Sequence, residues 1–223
     1  RCKFGCGCGM TLEACFMSQQ RLLTYDEVAR CANVASEMGI QTIRLTGGEP
    51  LMRPRLDQLI EQLTQLPKIQ EVALTTNGLL LADQAAGLAR AGLSRLNVSL
   101  DSLDEARFEK IARRSGLQRI LEGLEEARRQ GFRSIRMNAV SIRGLTEQDI
   151  VPLAEFCRTH CFHLRFIEFM PLDAEDAWSR EDVLTGREVR QIIEMHIGEL
   201  SQIEGNNPGQ PSIDYAYVDG SGV

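Results

Sequence analysis

Three cysteines, Cys2, Cys6 and Cys8, stand in the first eight residues, in the stretch "RCKFGCGCGM". Their thiolates are ligands for zinc, copper or iron–sulfur clusters. The spacing suits one metal centre better than disulfides, because a bridge between Cys6 and Cys8 would strain the geometry of the bond. A closed zinc site takes four ligands, commonly as two separated pairs, and a crowded trio supplies this badly. A cubane iron–sulfur cluster also normally takes four thiolates, so three leave one iron open to an outside ligand. The chain has seven cysteines in 223 residues, an odd number that fits a reducing compartment better than the framework of a small secreted domain.

A second set of polar residues lies on segments that read as strands. Arg44 and Thr46 fall on one face, as do Asn97, Ser99 and Asp101, and as do Arg136 and Asn138; Arg165 and Glu168 fall on opposite faces. The strands themselves are "IQTIRLT", "IQEVALTT", "RLNVSL", "FRSIRMNAV" and "HLRFIEF". Amphipathic helices alternate with them. Capping boxes at Thr24 with Glu27, Ser102 with Glu105 and Thr185 with Glu188 mark helix starts, and Gly39 marks a stop. A helix over "TEQDIVPLAEFCRTH" begins at Thr146 and carries Pro152 within it or in its first turn. Such alternation indicates βα units and a parallel sheet. Polar residues at period two suit a full or partial (β/α) barrel with a wet, partly cationic interior and a polar ligand at its C-terminal rim. The alternative is a doubly wound sheet with these residues on edge or surface faces.

Bulk properties narrow the function. A net charge of −6, with no basic run, argues against a general nucleic-acid binder. No apolar stretch approaches the roughly 18 residues that cross a bilayer, and no signal-peptide pattern opens the chain, so a soluble cytoplasmic protein is expected. At 43% hydrophobic, the chain can bury a core of its own. Residues 1–199 read as that core. Residues 200–223 read as a linker, "LSQIEGNNPGQPS", followed by "IDYAYVD", the first strand of a further region.

The cysteine trio together with "IRLTGGEPLMR", "ALTTNG", "LNVSLDSLD" and "LRFIEFMPL" resembles the radical S-adenosylmethionine (SAM) enzymes. More narrowly it resembles the GTP 3′,8-cyclases of molybdenum cofactor biosynthesis, which are lyases. The resemblance runs from Arg1 to about Leu172. It implies a radical SAM core of TIM-like partial-barrel type, with Cys2, Cys6 and Cys8 holding a [4Fe-4S] cluster. The spacing here, three residues and then one, is one residue shorter than the family's second interval. The resemblance further implies Gly47, Gly48, Glu49, Ser99 and Met170 as SAM contacts and Arg44, Thr75 and Arg136 as GTP contacts. Arg136 stands where the family usually has lysine. No residue is assigned acid–base catalysis. The implied reaction converts GTP to the 3′,8-cyclised dihydro-nucleotide. Implied partners are a reductant protein, a homodimer mate and cyclic pyranopterin monophosphate synthase as the next enzyme. A strand ahead of Arg1 and a second [4Fe-4S] region beyond Val223 are also implied. Two other readings stay open: a different radical SAM enzyme acting on a peptide or small molecule, and a barrel module without a functional cluster.

Read without the family, several of these residues have plainer roles. "TGGEP" is a tight turn with a helix-initiating Pro50, Ser99 a small polar residue in a barrel, and Met170 a core side chain. Cys31 reads as core. Cys157, His160, Cys161 and His163 in "CRTHCFH" read as structural rather than as a metal site, and Trp178 as a loop anchor or a cap on the barrel mouth.

Overall fold

The computed structural model describes residues 22–171, 178–203 and 212–222. These fall into two compact units, one of residues 22–99 with Gly116–Ile135, the other of Leu100–Ser115 with 136–222.

In the first unit, β1 (Thr42–Leu45), β2 (Glu71–Thr76) and β3 (Arg95–Ser99) lie side by side and parallel. Their register places Arg44 beside Ala73 and Ala73 beside Arg95, and places Thr75 beside Asn97. Alternation then sorts the side chains. One face carries Ile43, Leu45, Val72, Leu74, Leu96 and Val98. The other carries Arg44, Thr75, Asn97 and Ser99. Helices α1 (Tyr25–Glu37), α2 (Leu56–Thr64), α3 (Leu81–Arg90) and α5 (Leu117–Arg129) complete the unit. Leu59, Ile60 and Leu63 of α2, Leu81, Ala85 and Leu88 of α3, and Ile120 and Leu124 of α5 are all buried, at helical spacing. Helix α1 starts at the expected capping box, with Thr24 and Glu27 exchanging hydrogen bonds, and Gly39 ends it at φ +99°.

In the second unit, β4 (Ile135–Ser141) and β5 (His163–Glu168) pair in parallel, and β6 (Leu200–Gln202) pairs antiparallel with β7 (Tyr215–Tyr217). Leu164 and Phe166 of β5 pack on a core of Ile150 and Ala154 from α6 (Ile150–His160), Leu184, Val189 and Ile193 from α7 (Gly186–His196) and the segment before it, and Tyr217. The box at Thr185 and Glu188 opens α7 as expected.

Three boundaries differ from the sequence reading. Residues 147–149 form a single 3₁₀ turn and α6 proper starts at Ile150, so Pro152 falls in the first helical turn, where its missing N–H has no intrahelical partner to lose. Helix α4 (Glu105–Ala112) is capped by Asp104, not Ser102; Ser102 is buried and donates instead to Asp149, at 2.6 Å. Leu200–Gln202, expected within a loop, is a strand because Tyr215–Tyr217 completes its ladder.

Candidate active site

The loop leaving β1 is built from "GGEP". Gly47 sits at φ +152°, and a side chain built there would meet none of the described residues within 4 Å, so on that side no described side chain stands between a ligand and the backbone. Glu49 holds the loop. Its carboxylate caps the 3₁₀ turn Pro50–Met52 by accepting from Leu51 N (3.1 Å). It also accepts from Thr76 Oγ1 (2.6 Å) and Asn77 N (2.8 Å) at the end of β2. Two hydrogen bonds to this carboxylate fasten the glycine strap to the C-terminal end of the neighbouring strand, and the third caps the strap's own turn. The expected tight turn with Pro50 opening a helical turn is what this stretch forms.

Arg44, Thr75 and Ser99 share the polar face of this unit, as register and alternation require. Thr75 and Ser99 are half-buried. Asn97 between them donates to Leu74 O (3.2 Å), and an Arg95–Glu71 ion pair at 3.0 Å closes the N-terminal end of the face.

The second unit has its own polar face. Arg136 lies beside His163 and Asn138 beside Arg165 in the β4–β5 register. Asn138 Oδ1 is buried and has no hydrogen-bond partner among the described residues, an acceptor that a bound donor would satisfy. The His163 imidazole is held below its usual range, first by burial and then by the Arg136 and Arg165 guanidiniums, against the pull of Asp214. Glu168 points to the other face, as expected, and accepts from Gly186 N at the head of α7 (2.7 Å).

Beyond β3, Leu100 N donates to Asn138 O (3.0 Å) and Asp101 accepts from Val140 N (2.8 Å). Burial pushes the Asp101 carboxyl up to about 6; the Val140 N–H opposes the shift and the charge of Asp149 adds to it. Asp149 itself is 0% exposed. It accepts from Ser102 Oγ (2.6 Å) and, in a bidentate pair, from Arg107 Nε (2.9 Å) and Nη2 (3.1 Å). Sequence reasoning missed this network, because its members are 42 and 47 residues apart and no local spacing betrays them.

Met170 is 47% exposed, which overturns its plainer reading as core. It follows Phe169, whose carbonyl accepts from Trp178 Nε1 at 3.0 Å, and Trp178 packs with Val140, Ile142 and Phe169. The tryptophan is an anchor for its loop. Cys31 is exposed, not core, and Cys157 is buried while Cys161 is exposed. These last two do not converge, because Cys161 has left the helix in a left-handed conformation at φ +56°. Among the described residues no cluster of three or more histidine, cysteine, aspartate or glutamate side chains is arranged to hold a metal ion. Cys2, Cys6 and Cys8 lie outside the described residues.

Residues 1–157 match the family model of the radical SAM superfamily. The chain belongs to that superfamily. Among curated relatives, the GTP 3′,8-cyclase of Rhodopirellula baltica is 43% identical over 214 residues, 95% of this chain and 60% of its own length. That of Staphylococcus aureus is 38% identical over 225 residues, 98% of this chain and 66% of its own. This radical SAM chain therefore spans about three fifths to two thirds of the relatives it matches. Among solved structures, Streptococcus suis SuiB bound to S-adenosylmethionine superposes with a TM-score of 0.62 at 19% identity, over 82% of this chain and 40% of that one. The likeness shows the fold, the α/β partial barrel expected from the polar strand faces. Membership brings S-adenosylmethionine and an iron–sulfur cluster as the cofactors of radical SAM proteins. Among the described residues no helix is long and apolar enough to cross a membrane.

Proposed function

We propose that this chain is the SAM-binding core of a GTP 3′,8-cyclase, working in the cytoplasm in molybdenum cofactor biosynthesis. The observation that carries the reading is the likeness to cyclases over 95% of the chain. It is joined by the side chains that share the polar strand faces. In this reading Cys2, Cys6 and Cys8 hold a [4Fe-4S] cluster and leave one iron for SAM. Gly47, Gly48, Glu49, Ser99 and Met170 hold SAM. The fit is supported by the open side of Gly47, by a strap fastened through Glu49, and by the exposed Met170 thioether.

When bound and reduced, the cluster and SAM would supply the primary carbon radical chemistry that hydrogen abstraction from ribose C3′ of GTP calls for. The protein's own work is positioning. Arg44 and Arg136 offer planar forks that pair with phosphate oxygens, and Thr75 offers a hydroxyl. Fixing the triphosphate fixes the ribose, and the C3′ carbon is then presented to the radical on one side and to guanine C8 on the other. Acid–base catalysis is not required by this step, and none of the residues named serves it. A reductant protein supplies the electron, a homodimer is the expected assembly, and cyclic pyranopterin monophosphate synthase takes the product.

The test is anaerobic reconstitution of the full chain with iron and sulfide, followed by reduction with SAM, with and without GTP. Expected are the broad visible absorption of a cubane cluster and release of 5′-deoxyadenosine that rises when GTP is added. A chain that binds no cluster belongs to the non-catalytic reading. Release indifferent to GTP assigns it to another radical SAM reaction.

A further inference from the structure

We propose that His163 is a further nucleotide-contacting residue, its imidazole joining Arg136 in binding the polyphosphate chain of the substrate. The inference rests on the reading of Arg136 as a triphosphate contact and extends it to a neighbour on the next strand. His163 and Arg136 are register partners in the parallel β4–β5 pair. Register partners on neighbouring parallel strands present their side chains to the same face, the strands lying about 4.8 Å apart. His163 opens β5 with much of its residue surface in solvent and its ring partly screened by the protein, so a ligand reaching the Arg136 guanidinium reaches the imidazole as well.

The charges around His163 give this contact a particular behaviour. Three charged groups face it: Arg136 from β4, Arg165 from its own strand β5, and Asp214 from the segment leading into β7. Burial and the two guanidiniums together outweigh the aspartate, so the free imidazole is held neutral at a pH where an ordinary histidine would begin to charge. A polyphosphate arriving on this face reverses the balance. Its negative charge neutralises the field of Arg136 and favours the imidazolium, which gains a charge-assisted hydrogen bond to a phosphate oxygen. Nucleotide binding is therefore coupled to uptake of a proton at Nδ1 or Nε2 of His163, and affinity weakens as pH rises.

Isothermal titration of the full chain with GTP and, separately, with inorganic tripolyphosphate tests this. Titrations at pH 6 and pH 8, in buffers of different ionisation enthalpy, count the protons taken up. The terminal phosphate of either probe also titrates near pH 6, so each measurement is compared with His163→Gln and His163→Lys. His163→Gln is expected to lower proton uptake relative to the parent and to flatten the pH dependence by up to about tenfold for each unit that the imidazole shifts. His163→Lys is expected to abolish the histidine-linked uptake yet keep tight binding at pH 8.

GTP binding whose proton uptake is the same in the parent and His163→Gln overturns the proposal and leaves the proposed function standing. Uptake that depends on His163 with tripolyphosphate, but no tighter binding of GTP than of tripolyphosphate, keeps the contact and overturns the guanine nucleotide reading. Failure of both probes to bind overturns both. Imidazole chemical shifts followed through a pH titration, with and without tripolyphosphate, report the same protonation directly and do not depend on cluster or turnover.

Discussion

Asp101 and Asp149 are neighbouring carboxyls in one unit with different surroundings. Asp149 receives a hydroxyl and a bidentate guanidinium, whereas Asp101 receives the backbone N–H of Val140 and its pKa is raised to about 6. An unfolded aspartate titrates near 3.9. Between about pH 4 and 6, then, the folded protein keeps a proton that the unfolded chain has released, and stability falls as pH rises through that window. Above it, the ionised Asp101 costs on the order of 3 kcal/mol. Asp101→Asn keeps an oxygen to accept from Val140 and removes the charge. Urea unfolding at a series of pH values is expected to show a flatter profile from pH 4 to 6 for the variant, with stability at pH 7.5 no lower than the parent's. The same slope in both proteins would show that burial of Asp101 is not what the pH dependence reads.

At the scale of elements, α5 meets α3 where α5 carries Gly123. A Cβ at that position would lie 2.9 Å from Leu81 Cβ, 3.2 Å from Ala82 N and 3.3 Å from Gly78 O. Two of these are backbone atoms of the turn that follows β2 and of the first turn of α3, and neither can swing aside. Alanine is the better helix former by about 1 kcal/mol, yet the clash decides the outcome. Gly123→Ala is expected to destabilise by about 1–3 kcal/mol, read as a lower urea midpoint. The control is Gln118→Ala, at an exposed position of the same helix, with a change within about 0.5 kcal/mol. A Gly123→Ala protein as stable as the parent would mean that α3 and α5 do not need this close approach.

For the molecule as a whole, the proposed cofactor and substrate bind the folded state alone and stabilise it by mass action. With each at about a hundredfold excess over its Kd, the gain is about 2.7 kcal/mol per ligand. Calorimetry of the reconstituted full chain is expected to show a higher Tm with SAM, a higher Tm with GTP, and a larger rise with both. A rise with SAM and none with GTP would retain the radical SAM core and remove GTP as its substrate.

The local code was legible wherever neighbours in sequence are neighbours in space. Thr24 with Glu27 and Thr185 with Glu188 form the boxes that their spacing announces. Period-two polarity set Arg44 on one strand, and Asn97 with Ser99 on another, apart from the apolar residues between them, and the strand register then joined them with Thr75 on one face. The same spacing misled at Ser102, because its hydroxyl donates to a buried carboxylate 47 residues away and accepts from Asp104 N, while the Asp104 carboxylate accepts from Arg107 N and caps the helix. The cysteine motif and the "GGEP" turn pointed to the radical SAM superfamily from sequence alone, since each is a short contiguous stretch. Tertiary structure decided what hangs on pairing between distant segments. It placed His163 beside Arg136, left Asn138 Oδ1 without a partner among the described residues, raised Asp101, and made Leu200–Gln202 a strand. Each depends on which strand lies alongside and how much water remains, quantities that a linear spacing of residue types does not contain.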